Sequence, residues 1–263
     1  MKPFHSFPQQ MKSYIHYVLT DIDDTLTLSG RLPAVAYTAM EKLQENGIQV
    51  IPITGRPAGW CDHIARMWPV AGVVGENGAF YFSYDKEQKK MQRRYFASKK
   101  ERQENQLKLA KLERHILQKV PGSQVSADQG YREADLAIDF CEDVPPLTRE
   151  AIDQIVRIFT EAGAKAKISS IHVNGWYGNY DKLTMTKIFF EDIFSFSLET
   201  GEEQVIFIGD SPNDCPMFAF FHHSVGVANI LNFKDHLEYK PVWITDEPGG
   251  YGFAEMAHIL LSR

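Results

Sequence analysis

Cysteine is scarce in this chain: three in 263 residues, Cys61, Cys141 and Cys215, far apart and with no CxxC pair. An odd, sparse count argues against a disulfide scaffold and suits a reducing compartment. Long apolar runs are also missing. No segment approaches the length of a membrane span, and Met1 to Pro8 has no apolar stretch of the kind a signal peptide needs. The expectation is a cytoplasmic protein with no membrane partner. Positive charge is not in excess: 28 Lys and Arg stand against 34 Asp and Glu, for a net charge of −6. That balance gives no global attraction to nucleic acid or to acidic membranes. Internal repeats and low-complexity tracts are absent too. What is present is 44% hydrophobic residues, enough to bury a sizeable core without staples.

The length lies between one large domain and two modest ones. In the first part, strand and helix alternate. Residues 15–22 are a short apolar run ending in acids, which suits a buried parallel strand. Pro33 opens a helix over 34–46 and Gly47 closes it; a strand over 48–54, a helix over 57–67 and a strand over 72–75 follow. This is the βαβ pattern of a parallel sheet covered by helices. From Phe80 the character changes. Residues 80–84 and 92–96 flank a lysine-rich turn, as in a hairpin. A charged helix over 98–120 carries Leu109, Leu112, Ile116 and Val120 on one stripe. A strand over 131–140, an amphipathic helix over 145–162 and a strand over 166–173 complete an α+β unit. After Asp181 the first rhythm returns: helix 183–194, strand 204–209, a helix from 213, strand 224–227, the segment 241–245 and a last helix over 252–261. The fold class is α/β: a doubly wound, parallel-sheet, Rossmann-like core, residues 1–83 plus 181–263, with an α+β domain inserted over 84–180.

Four short segments carry chemistry. Asp21-Ile22-Asp23-Asp24-Thr25 follows the first strand, and acids at the C-terminal end of such a strand point into the crevice where open α/β sheets bind ligands. A polar turn after a strand is the plainer reading of the same residues. Thr54-Gly55-Arg56 ends the second strand, where a hydroxyl and free backbone N–H groups make either a phosphate seat or an ordinary helix cap. Asp181-Lys182 stands where the core resumes, and its lysine gains weight only from company. Gly209-Asp210-Ser211-Pro212-Asn213-Asp214 follows the apolar run Val205 to Ile208. Its acids suit Mg²⁺, a hard cation that takes oxygen ligands, although a simple turn into a helix would also explain them.

Together the segments read DxDxT, Thr, Lys and GDxxND, in that order. The set resembles the haloacid dehalogenase superfamily. An insertion between the second and third motifs resembles its type IIB members, the Cof-like and sugar-phosphatase group with a large α/β cap. Gly75-Glu76-Asn77-Gly78-Ala79 is similar to the turn this group places before its cap, and Val225 to Asn229 and Thr245 to Gly252 are similar to its C-terminal segments. One departure is Asp24, where many relatives carry glycine; aspartate is readily accommodated on a turn.

The resemblance implies a Mg²⁺-dependent phosphomonoester hydrolase acting through an aspartyl-phosphate on a small phosphorylated metabolite, most naturally a sugar phosphate. Asp21 would be the nucleophile, and Asp23 the acid and then the base. Asp21, the Asp23 backbone carbonyl, Asp210 and Asp214 would form the metal site. Thr54, Gly55, Arg56, Asn77, Lys182 and Asn213 would hold the phosphoryl group. A phosphohexose mutase and a phosphate-sensing binding protein on the same fold are the alternatives.

Specificity is expected in the inserted domain. Arg132, at the head of a strand, and His172, with Asn174, Trp176 and Tyr177 beside it, are candidate substrate contacts. Trp176 reads more readily as packing than as a contact. Basic residues outnumber acidic ones between Lys86 and Lys119. Aromatics do not interleave with them along the helix, so a solvated surface is expected rather than a nucleic-acid site.

Overall fold

The computed structural model describes residues 1–169 and 171–262. The chain opens on β1 (Lys2–Pro3) and α1 (Gln9–Lys12), then alternates β2 (Tyr17–Thr20), α2 (Ala34–Glu45), β3 (Gln49–Pro52), α3 (Ala58–Met67) and β4 (Val73–Gly75). A hairpin, β5 (Phe80–Asp85) and β6 (Lys90–Tyr95), leads to α4 (Lys99–Lys119), β7 (Gln124–Val125), β8 (Asp135–Asp139), α5 (Arg149–Glu161), β9 (Lys165–Ile168) and β10 (His172–Trp176). Alternation resumes with α6 (Lys182–Phe194), α7 (Leu198–Gly201), β11 (Val205–Gly209), α8 (Cys215–Phe220), β12 (His223–Gly226), β13 (Trp243–Ile244) and α9 (Gly249–Leu261).

The central sheet has the order β1-β13-β12-β11-β2-β3, parallel throughout. Its central strands β2, β3 and β11 are largely apolar runs because helices cover both faces. Val18, Val50 and Ile206 pack with Met40 of α2, Ile64 of α3 and Phe253 of α9. Leu19, Ile51 and Phe207, one residue further along each strand, pack with Phe189 of α6 and Met217 of α8. From β2 the chain moves outward through β3, whereas from β11 it moves the opposite way through β12 and β13. The crevice at such a reversal, beyond the C-terminal strand ends, is where an α/β sheet binds ligands. Asp21 and Asp210 both emerge there.

β4 continues the sheet past β3 through one parallel bridge, Ile53 to Val74. It then pairs antiparallel with β5, and β5 with β6. This hairpin packs on the core: Phe80 and Phe82 are buried in the α2–α3 cluster, and Arg93 reaches Asp62 of α3 at 2.6 Å. The boundary expected at residues 83/84 therefore falls inside β5. The short β1, unassigned from sequence, is held by Phe4 and Phe7 against Trp243.

The inserted unit is an antiparallel sheet, β7-β8-β10-β9, under α4 and α5. Ser98 and Glu101 form a capping box that starts α4. Thr148 caps α5, which begins after Pro145 and Pro146 rather than at them. The single strand expected over 166–173 is two strands, β9 and β10. The Ser169 N–H donates to the His172 carbonyl at 2.8 Å, and its Oγ accepts from the His172 N–H at 2.9 Å, which reverses the chain. Residue 170 of that expected strand lies outside the described residues. The two-residue period of a strand divides the sheet's faces. Leu136, Ile138 and Val173 turn to the helices. Asp135, Ala137 and Asp139 pair with Trp176, Asn174 and His172 on the opposite face. Gly175 lies between them because a Cβ there would sit 2.1 Å from the Phe159 ring. Among the described residues, no helix is long and apolar enough to cross a membrane.

Candidate active site

Asp21 leaves β2 with its N–H bonded to the Ile208 carbonyl at 3.0 Å, which keeps the ends of β2 and β11 side by side. The chain then turns through Asp24, whose φ of 57° is in the left-handed region. Glycine is at ease there and aspartate is among the residues that tolerate it. The Asp24 N–H donates to Thr27 Oγ1 at 2.9 Å, and Asn229 Nδ2 donates to the Asp24 carbonyl at 3.0 Å. The departure noted in the sequence is thus a turn residue.

Lys182 is the first residue of α6, behind an Asp181 cap that accepts from the Thr184 N–H at 2.7 Å. Its buried Nζ donates to Asp21 Oδ1 at 2.7 Å, Asp214 Oδ1 at 2.8 Å and Asn213 Oδ1 at 3.1 Å. Asp21, Asp210 and Asp214 are buried and offer oxygens that all lie within 4.8 Å of one another. Asp214 Oδ2 also accepts from the Asp210 N–H at 3.2 Å. Gly209 permits this approach, since a Cβ there would stand 2.5 Å from Asp214 Oδ2. Thr25 Oγ1 donates to Asp210 at 3.3 Å.

Burial pushes the Asp21 carboxyl up to about 7, with Asp214 and Asp23 acting the same way and Lys182 opposing. Asp210 is driven well above the carboxylate range by burial, then by Asp21 and Asp214. Burial alone would depress Lys182, but Asp21 and Asp214 more than offset it and raise it. One ammonium among three buried carboxylates leaves negative charge uncompensated. The donors are all oxygen. Such a set fits a hard divalent cation such as Mg²⁺.

On the other side of the crevice, Thr54 Oγ1 accepts from the Arg56 N–H at 3.0 Å. Arg56 swings back to Asp23, with Nε at 3.0 and 2.9 Å from its two oxygens and Nη2 at 2.7 Å from Oδ1. The Asp23 carboxylate is therefore outside the cluster of Asp21, Asp210 and Asp214. Asn77, at φ 56°, is buried with a side-chain Nδ2 that has no protein partner. These groups enclose a cavity of about 30 Å³, lined by Asp21, Asp23, Gly55, Arg56, Asn77, Asp210 and Asn213 from the core and Arg132, His172 and Asn174 from the insertion. Thr54 and Lys182 stand just behind this lining. Lys182 faces an adjoining space of about 30 Å³ shared with Asn77, Asn213 and Trp176.

The inserted unit closes over this cavity through contacts that the sequence did not reveal. Glu76 is fully buried and accepts from the N–H groups of Ala58 at 3.0 Å, Glu133 at 2.9 Å, Ala134 at 2.6 Å and Asp135 at 3.2 Å. Burial lifts it to about 8, with Asp135 adding to the rise and Arg132 opposing. Arg132 is itself buried: it bonds Asp128 at 2.9 and 3.1 Å, Asp135 at 3.0 and 3.2 Å, and the Gly55 carbonyl at 3.0 Å. Glu142 approaches Arg56 at 3.4 Å and His172 Nε2 at 2.9 Å. Glu76 was visible only as part of a turn, and Glu142 had no sequence signal at all.

Residues 18–127 match the family model described as a haloacid dehalogenase-like hydrolase. Among curated proteins, none matches the sequence. Several solved structures share the fold. A protein from Thermoplasma acidophilum is 18% identical, with 94% of this chain and 99% of that chain covered at a TM-score of 0.71. A haloacid dehalogenase-like hydrolase from Bacteroides thetaiotaomicron is 18% identical, with 93% and 98% covered at a TM-score of 0.64. A sugar phosphatase of haloacid dehalogenase subclass IIB is 14% identical, with 87% and 92% covered at a TM-score of 0.58.

Proposed function

We propose that this haloacid dehalogenase-like chain of the capped, type IIB kind is a Mg²⁺-dependent phosphomonoesterase that works through an aspartyl-phosphate on Asp21. The observation that carries the reading is the bridge from Lys182 Nζ to Asp21 at 2.7 Å and Asp214 at 2.8 Å, at the switch point of the sheet. It sets a carboxylate with its counter-cation where a phosphoryl group would enter.

Asp21, Asp210 and Asp214 supply the carboxylates that would hold Mg²⁺, with the Asp23 backbone carbonyl as a further oxygen. A bound Mg²⁺ would screen those carboxylates from one another and draw charge from the phosphoryl oxygens. Asp21 then attacks phosphorus: an Oδ–P bond forms as the bond to the leaving oxygen breaks. Asp23 gives its proton to that oxygen. In the second half Asp23 takes a proton from water, whose oxygen attacks phosphorus and frees Asp21. Lys182, Asn77 and Asn213 hold the phosphoryl oxygens; the unpartnered Asn77 Nδ2 is a donor available for that purpose. Thr54 fixes the loop from which Gly55 and Arg56 face the cavity.

A sugar phosphate is the substrate class we favour. A relative in fold is described as a sugar phosphatase. The free cysteines suit work in a reducing cytoplasm. Phosphate release from a panel of phosphorylated metabolites, with Mg²⁺ and with excess chelator, tests the reading. Release that needs Mg²⁺ and disappears in Asp21→Asn is expected. Release from none of the panel would overturn it.

A further inference from the structure

The catalytic cavity is small, with about 30 Å³ of space. Beside it lies a recess of about 460 Å³, walled by Ile22, Leu32, Trp60, His63, Ile64 and Trp68. Among the described residues, Asp23 and Arg56 alone line both spaces. Asp23 is the group that must meet the bridging oxygen of an ester whose phosphorus sits at Asp21. Whatever is attached to that oxygen therefore begins at Asp23, and the recess begins there too. On the opposite side Arg132, His172 and Asn174 already occupy the wall.

The recess has a defined surface. Trp60, His63 and Ile64 are three and four residues apart on α3, hence on one face of it. The Trp60 ring is 43% exposed, and the Arg56 guanidinium lies 4.6 Å from its centroid, which fixes its orientation beside Asp23. Glu142 of the inserted unit forms the rim and meets Arg56 at 3.4 Å. Flat apolar side chains with an imidazole and a carboxylate at the margin suit a ring that is apolar on its face and polar at its edge.

We propose that this recess is the leaving-group subsite, and that it takes a ring, a hexose or an aryl group, lying against Trp60 with its edge toward His63 and Glu142. The assignment rests on the hydrolytic reading of Asp21 and Asp23. It explains how a small catalytic cavity can serve a much larger ester: only the phosphoryl group enters it.

Steady-state kinetics on three phosphates test the proposal: acetyl phosphate, whose leaving group is too short to reach Trp60, p-nitrophenyl phosphate and hexose 6-phosphates. Trp60→Ala and His63→Ala are expected to lower kcat/KM for a ring phosphate at least about tenfold more than for acetyl phosphate, chiefly through KM. Trp60→Phe should recover most of the Trp60→Ala loss. Whether the hexose or the aryl substrate suffers the larger loss distinguishes the two ring sources. Equal losses on all three substrates, or no loss on either ring, would overturn the subsite. Wild-type protein without Mg²⁺-dependent turnover of acetyl phosphate would instead overturn the hydrolytic reading, and the subsite with it. Melting curves of each variant separate these effects from loss of fold.

Discussion

Arg56 grips both carboxylate oxygens of Asp23, at 2.7 to 3.0 Å. The same guanidinium stands 3.4 Å from Glu142 and 3.7 Å from Asp128, both in the inserted unit. A core carboxylate proposed to pass a proton is thus tied, through one cation, to the inserted unit. Each carboxylate oxygen can accept more than one hydrogen bond, so Asp23 keeps a position on its oxygens for the proton it is proposed to pass while Arg56 sets its direction.

The two duties proposed for Asp23 fall on opposite sides of the proposed covalent intermediate, which makes Asp23→Asn informative. An aryl phosphate has a good leaving group and hardly needs a proton, so transfer to Asp21 should persist. Asparagine cannot act as a base, so hydrolysis should stall. Rapid mixing should show one burst of phenol per enzyme, then near silence with phosphate left on the protein. Asp21→Asn should show neither burst nor label. A steady wild-type rate from Asp23→Asn would remove Asp23 from the mechanism.

Crowding among Asp21, Asp210 and Asp214 predicts that Mg²⁺ stabilises the fold. At a concentration about a hundred times its dissociation constant the gain is about 2.7 kcal/mol, or roughly 5–10 °C in Tm for a chain of this size. Asp210→Asn takes away one of three mutually repelling groups. Its metal-free Tm should equal or exceed that of the wild type, while the Mg²⁺-induced rise is lost. Thermal melts with and without Mg²⁺ measure both, and an unchanged rise in Asp210→Asn would refute the assignment of this ligand.

Arg132 is expected to matter for stability before it matters for substrate choice. Its side chain is 1% exposed and bonds two buried aspartates, Asp128 and Asp135. Removing the cation from a buried ion set costs about 3–5 kcal/mol, so Arg132→Ala should lower Tm by roughly 6–20 °C. Arg132→Lys should recover little, because an ammonium cannot reproduce the planar fork. A Tm within about 1 °C of wild type would show that the set contributes little to the fold.

Glu76 gives a pH dependence of known sign. Its ordinary value is 4.5 and burial lifts it to about 8 in the folded state. Between those values the folded protein holds a proton that the unfolded chain releases. Stability therefore falls as pH rises through that window, by at most about 1.4 kcal/mol per pH unit from this group. Urea denaturation at several pH values across the window should show a smaller slope in Glu76→Gln than in wild type. The variant should also be less stable throughout, since an amide nitrogen would face the N–H groups that Glu76 accepts. An identical slope would mean that Glu76 stays ionised in its pocket.

The strand ends and the groups they carry are written in the local pattern of residues. A parallel strand buried on both faces must be an apolar run, and its C-terminal end opens on a crevice. Acids and hydroxyls directly after such runs, Asp21, Thr54 and Asp210, were therefore legible, as was Asp24 as a turn residue. The inserted helices were legible from the stripe of Leu109, Ile116 and Val120. What only the tertiary structure decided is how the lid meets the core. Glu76 finds three of its four donors 57 to 59 residues away, and Arg56 finds Asp23 33 residues back and Glu142 86 residues on. The break between β9 and β10 depends on Ser169 closing a turn that the apolar pattern does not mark. Local periodicity records which side of a strand or helix is buried. It carries no record of which buried surfaces face one another, and that pairing is what fixes the partners of Glu76, Arg132 and Glu142.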